Sequence, residues 1–87
     1  MTSTTNILVV DDNPLNIEAI SRRLERDGFH TYKAEGGAQA FRILENFTID
    51  LILLDVMMPE IDGYQVLERI KGSAQLQHIS IRKVFFV

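Results

Sequence analysis

Two uninterrupted apolar runs, each ended by carboxylates, constrain this chain most. The first is Ile7-Leu8-Val9-Val10, and it stops at Asp11-Asp12. The second is Leu51-Ile52-Leu53-Leu54, and it stops at Asp55. A run of β-branched and aliphatic residues without polar alternation suits a strand covered on both faces. Covering both faces takes helices, and the segments between the runs supply them. Asn13-Pro14 is a helix start, because Asn caps well and Pro is favoured at the first helical position. Ile17, Ile20 and Leu24 then recur at helical spacing, and Asp27-Gly28 closes the helix with Gly28 just past its end.

Phe29 to Ala34 reads as a second, less apolar strand, which predicts an edge position. Glu35-Gly36-Gly37 is a turn. Ala38 to Phe47 reads as a second helix, with Phe41 and Leu44 inward and Ala40 and Ile43 flanking them. Beyond Asp55, Pro59 and Asp62-Gly63 punctuate a loop. Tyr64 to Lys71 reads as a third helix with Val66, Leu67 and Ile70 inward. Gly72 to His78 is a polar connection, and Ile79 to Val87 reads as a last strand. Strands alternating with helices predict parallel pairing, hence an α/β fold.

The 87 residues suffice for one small domain and not for two. With 46% apolar and 24% charged residues the composition is globular. A domain of this size buries only about 60% of the surface its unfolded chain exposes, so the core is thin. No Cys is present, which excludes a disulfide framework, a zinc finger and thiol catalysis. The net charge of −3 argues against nucleic acid as a partner. Arg22, Arg23 and Arg26 read as a solvated helix face, with Glu18–Arg22 an i,i+4 pair. No apolar run reaches the roughly 20 residues of a membrane span, and Met1 to Asn6 is no signal peptide. No membrane association and a cytoplasmic location are therefore expected.

In open parallel α/β sheets, ligands bind beyond the carboxyl ends of the strands. If the two apolar strands are neighbours, Asp11, Asp12 and Asp55 converge at that edge. Clustered carboxylates repel one another unless a cation sits between them. An all-oxygen donor set suits Mg²⁺. A carboxylate beside bound Mg²⁺ can serve as a nucleophile toward a phosphoryl group, giving an aspartyl phosphate. Taken singly, Asp11-Asp12 reads as a helix cap and Asp55 as a strand-end turn residue. The joint pattern is more specific.

That pattern, Ile7-Leu8-Val9-Val10-Asp11-Asp12-Asn13-Pro14 followed by Leu51-Ile52-Leu53-Leu54-Asp55-Val56-Met57-Met58-Pro59-Glu60-Ile61-Asp62-Gly63-Tyr64, resembles the receiver domain of two-component response regulators. The resemblance covers roughly residues 6 to 81. It implies a flavodoxin-like parallel sheet with strand order 2-1-3-4-5. It implies phosphorylation by a histidine kinase or a histidine phosphotransfer protein, with Asp55 as phosphoacceptor. By the same resemblance Asp12 is a direct Mg²⁺ ligand, and Asp11 acts largely through water. Asp55 and the Met57 backbone carbonyl complete the metal set, and Pro59 and Gly63 shape the loop after the acceptor.

The chain also departs from that family. It carries about four strands and three helices of the usual five and five, an incomplete fold. The family has Ser or Thr at the end of the fourth strand, a position that gap-free counting from Asp55 assigns to Phe85. It also has a Lys at the end of the fifth strand, for which no candidate exists. Arg82-Lys83 interrupts what should be an apolar strand, so residues 82–87 depart from the pattern within one domain spanning 1–87. Truncation or a shifted reading frame accounts for this better than an edge strand carrying charges as gatekeepers.

Three functional readings follow. The first is a phosphorelay receiver, impaired by truncation. The second is a phosphorylation-incompetent interaction module that self-associates as a homo-oligomer through an uncovered sheet face and through Val84, Phe85, Phe86 and Val87. That face is lined by Leu8, Val10, Ile52 or Leu54, depending on register. The third, a Mg²⁺-dependent phosphatase, ranks lowest, because Met57 stands where a general acid would follow the nucleophile. The chain is thus expected not to be an enzyme. His30 and His78 read as solvated. Met57 and Met58 read as loop and core packing residues, and Tyr64 as capping the third helix.

Overall fold

The computed structural model describes residues 5–55, 68–73 and 80–84, with Asp55 and residues 80–84 described by their backbone. The elements are β1 (Asn6–Val10), α1 (Pro14–Arg26), β2 (His30–Ala34), α2 (Gly37–Asn46), β3 (Leu51–Asp55) and β4 (Ser80–Val84). Residues 68–71 are also helical. All strand pairs are parallel, and the sheet order is β2-β1-β3-β4. The apolar runs are therefore neighbours, and β2 lies at an edge as its composition predicted.

Strand β1 is the centre of the core. Ile7 to Val10 are each at most 2% exposed. Alternate side chains serve opposite faces, as the pleat requires. Ile7 and Val9 pack with Ile17, and Ile20, Leu24, Leu51 and Leu53 complete that cluster from partly buried positions. Leu8 and Val10 pack with Ala34, Ala40, Leu44, Ile49, Ile52, Leu54 and Ile70. Helix α1 thus covers one face, while α2 and the helical turn at Ile70 cover the other. The register resolves which face is thinner. Leu8, Val10, Ile52 and Leu54 lie on the well-covered face, so the expectation that they line the uncovered one is corrected. The thinner face carries Leu51 and Leu53, which are half-buried although β3 is hydrogen-bonded on both sides.

Helix α1 has the ends its sequence announces. The Asn13 side chain accepts from the Leu15 backbone N–H at 2.9 Å, with Pro14 at the first helical position. At the other end Gly28 has φ 97°, a conformation that costs glycine little. The Gly28 N–H donates to the Glu25 carbonyl and the Phe29 N–H to the Leu24 carbonyl, at 3.1 and 3.0 Å. These two bonds form a Schellman motif. Glu18 pairs with Arg22 at 3.6 Å and with Lys33 of β2 at 3.1 Å, both on the exposed surface, where such pairs contribute little.

Helix α2 shows a phase difference from the sequence reading. Its buried stripe is Gly37, Ala40 and Leu44, while Phe41 is only partly buried. The small Ala40 brings the helix close to the sheet, and the Phe41 ring lies at the margin. The Arg69 guanidinium sits 4.4 Å from its centroid. At the opposite end of the sheet, Asn6 fixes the start of β1 against β3. Its N–H donates to Asp50 Oδ2 at 2.8 Å, its side-chain amide to the Thr48 carbonyl at 2.7 Å, and its carbonyl accepts from the Asp50 N–H at 2.9 Å.

This packing sets three stability outcomes. Ile52→Ala removes a fully buried side chain from the larger cluster and is expected to cost about 2–5 kcal/mol in urea unfolding. Leu15→Ala, at a residue 78% exposed, should change stability by no more than about 0.5 kcal/mol. Equal losses at the two positions would contradict this core. Ser21 is fully buried in α1, and its hydroxyl has no hydrogen-bond partner among the described residues. Ser21→Ala removes that unsatisfied group and improves helix propensity, so a gain of up to about 1 kcal/mol is expected from the same measurement.

Candidate phosphoacceptor site

Parallel pairing places the ends of β1, β2 and β3 at one edge of the sheet. Val10 pairs with Leu54, so the next residues, Asp11 and Asp55, stand level on adjacent strands about 4.8 Å apart. The Asp11 N–H donates to the Ala34 carbonyl at 3.1 Å, which keeps its backbone within the sheet. Asp12 is the first residue past that bond.

The two consecutive acids occupy opposite environments. Asp11 is 1% exposed, whereas Asp12 is exposed to solvent. A carboxylate can be buried only where donors or positive charge compensate for lost water. The start of α1 provides both. The Asn13 N–H donates to Asp11 Oδ1 at 2.9 Å, and the Asn16 side-chain amide donates to Oδ2 at 3.3 Å. Asp11 also lies at the positive end of the α1 dipole. The sequence pattern marks Asn13 as a helix cap and assigns Asn16 no role. The available signal was position: Asn16 is the third residue of the helix, and side chains there lean back toward the N-terminus.

The described residues bring together part of the predicted constellation. Asp11 and Asp12 stand at the end of β1, and the Asp55 backbone ends β3 beside them. Among the described residues whose side chains are placed, no three metal-binding side chains converge. Met57, Pro59 and Gly63 lie outside the described residues, as do Met58, Tyr64 and His78. On β4 the residue level with Asp55 is Val84, one position before the Phe85 reached by counting. Phe85, Phe86 and Val87 lie outside the described residues. His30 is exposed at the start of β2, with its ring 4.9 Å from that of Tyr32, at the end of the sheet opposite the acids.

The donor set at this edge fits a hard divalent cation. Among the described residues, one carboxylate is fixed and buried, the next is exposed, and Asn13 and Asn16 add amides. Among the described residues no helix is long and apolar enough to cross a membrane.

Comparison with known proteins agrees with this arrangement. The family model for the response regulator receiver domain matches residues 7–82. A probable cyclic di-GMP phosphodiesterase of Vibrio cholerae is 40% identical over 79 residues, which is 91% of this chain and 18% of that protein. The polar-differentiation response regulator DivK of Brucella ovis is 31% identical over 78 residues, 90% of this chain and 63% of DivK. The chain therefore spans less than two thirds of the length of these curated relatives. Among solved structures, the N-terminal domain of a response regulator receiver protein from Methanoculleus marisnigri is 37% identical with a TM-score of 0.89, covering 93% of this chain and 66% of that one. A response regulator receiver protein from Pseudomonas putida superimposes with a TM-score of 0.91 at 29% identity, covering 98% of this chain and 70% of that one. The sheet order, the acids at the strand ends and these matches agree: the chain belongs to the response regulator receiver domain family, with an incomplete flavodoxin-like fold.

Proposed function

We propose that this chain is a phosphoacceptor module of a two-component phosphorelay and not an enzyme. In this reading Asp55 receives the phosphoryl group from a histidine kinase or a histidine phosphotransfer protein. The observation that carries it is the level placement of Asp55 beside the buried Asp11 and exposed Asp12. A carboxylate oxygen of Asp55 forms the new bond to phosphorus as the P–N bond of the donor phosphohistidine breaks. The bonding pair returns to the imidazole nitrogen, which takes up a proton. Mg²⁺, when bound by Asp11, Asp12, Asp55 and the Met57 carbonyl, offsets the charge that accumulates on the phosphoryl oxygens. Asp11 acts through water, because donors already engage both its oxygens. Pro59 and Gly63 shape the loop that follows the acceptor.

The module is impaired in this reading. Val84 is level with Asp55 on β4, and residues 81–87 contain no Ser or Thr. A hydroxyl that senses the transferred phosphate is thus missing from that stretch, and the conformational response weakens. The acidic net charge supports a protein partner over nucleic acid, and the reading places the chain in the cytoplasm, away from membranes.

Intact mass after incubation with a small-molecule phosphodonor tests this. A gain of one phosphoryl group that requires Mg²⁺ and disappears in Asp55→Ala is expected. A folded sample that gains nothing, or a variant that gains as much as the parent, would refute the assignment.

A second reading rests on Leu51 and Leu53. Half-buried leucines on an internal strand, next to half-buried Ile20 and Leu24, leave apolar surface beside α1. A second copy of the chain can cover it, with Val84 to Val87 adding apolar contacts, giving a homo-oligomer without phosphate chemistry. Sedimentation that rises with concentration and falls to the monomer value in Leu53→Glu is expected on this reading. A compact monomer at every concentration would eliminate it.

A further inference from the structure

Asp11 is the most constrained acid of the site, and its two described donors differ in kind. The Asn13 contact is a backbone N–H, present whatever side chain stands there. The Asn16 contact is a side-chain amide, so residue identity controls it. Asn16 is the third residue of α1, and its own N–H donates to the Asn13 carbonyl at 3.1 Å. A side chain at this position ordinarily reaches back to the capping residue's N–H. Here that N–H is spent on Asp11 Oδ1, and the Asn16 amide reaches past the cap to Oδ2. Each oxygen of the buried carboxylate is thereby held from the same helix end. Residue 16 is half-buried, so the amide is screened from water without being sealed in.

We infer that Asn16 is a positioning residue for the metal site: by holding Oδ2, its amide fixes the orientation of the Asp11 carboxylate and raises the affinity of the acidic edge for Mg²⁺. This rests on the phosphoacceptor reading above and extends it to a residue outside the acidic set. Outer groups that hydrogen-bond a ligand carboxylate set its direction before the ion arrives. A free carboxylate beside Asp12 would rotate away from the like charge. One gripped at both oxygens cannot, so less ordering remains to be done on binding. The amide must present nitrogen, since its oxygen would repel the carboxylate. At 3.3 Å the bond is long, which leaves room for a longer arm to reach the same oxygen.

The test is Mg²⁺ binding measured by calorimetry on the unphosphorylated chain, with the parent, Asp12→Ala, Asn16→Ala and Asn16→Gln compared. Asn16→Ala is expected to weaken Mg²⁺ binding about tenfold. Alanine is the better helix former, so its unfolding midpoint without metal should not fall. Asn16→Gln keeps the amide and is expected to recover most of the lost affinity. In the parent, the Asn16 side-chain amide resonances should move on Mg²⁺ addition, a readout that needs no variant. Unchanged affinity in Asn16→Ala, equal weakness in the Ala and Gln variants, or unmoved Asn16 resonances would each overturn the inference. If Asp12→Ala loses binding while Asn16→Ala does not, the site stands and only the role of Asn16 falls. If the parent binds no Mg²⁺, both fall.

Discussion

The two-sided burial of β1 is the constraint on which the rest depends. Four consecutive residues of that strand are removed from water, so helices must lie on both faces and strands on both edges. Parallel crossovers satisfy this in so short a chain, and they align every carboxyl end at one edge. The site is therefore a by-product of the core. Burial does not stop at Val10 but runs one residue further, to a carboxylate. Burying Asp11 there takes oriented donors, and among the described residues the start of α1 supplies two of them. The Asn13-Pro14 helix start thus serves the core and the site together. It nucleates the helix that covers Ile7 and Val9, and it presents the Asn13 N–H to the acid.

Much of this was legible in the sequence because each feature has a single strong local cause. An apolar run with no polar alternation has few other readings, and both runs are strands. Asn13, Pro14 and Gly28 set the ends of α1 through capping and positive-φ preferences that hardly depend on tertiary context. Features decided by packing were less legible. In α2, a stripe through Phe41 and one through Ala40 are almost equally apolar, and helix–sheet distance decides between them. The sheet chose the smaller residue. Asn6 opens β1 and Ile49 lies two residues before β3, and neither identity announces its role. The face carrying Leu51 and Leu53 rather than Ile52 and Leu54 became defined only with the register, since a shift of one residue exchanges every side chain between faces. Asn16 is illegible in the pattern because its partner lies across the cap and not along the helix face.

Strand β4 shows how far backbone pairing can proceed against the side-chain pattern. Arg82 and Lys83 interrupt the apolar run, yet Ser80 to Val84 pair with β3 in continuous register. Ladder hydrogen bonds join backbone groups and are indifferent to side-chain identity. Arg82 pairs with Leu53 and Lys83 with Leu54 in the backbone register. Among the described residues β4 is the outer strand. The family match ends within this strand, at residue 82.

The contrast between Asp11 and Asp12 bears on how a metal site at this edge would work. Mg²⁺ gives up its water reluctantly. An exposed carboxylate such as Asp12 can approach a largely hydrated ion directly, because it brings its own solvent access. A buried carboxylate whose oxygens already accept hydrogen bonds has less to offer an ion directly. It is better suited to accept from a metal-bound water, and its negative charge then acts at slightly longer range. On the proposed function, these adjacent residues would divide the work of contact and field in line with their burial. The same reasoning says why the order of the two acids matters. Exchanging their environments would place a hydrated carboxylate against α1 and an inaccessible one at the rim, and neither could perform the other's part.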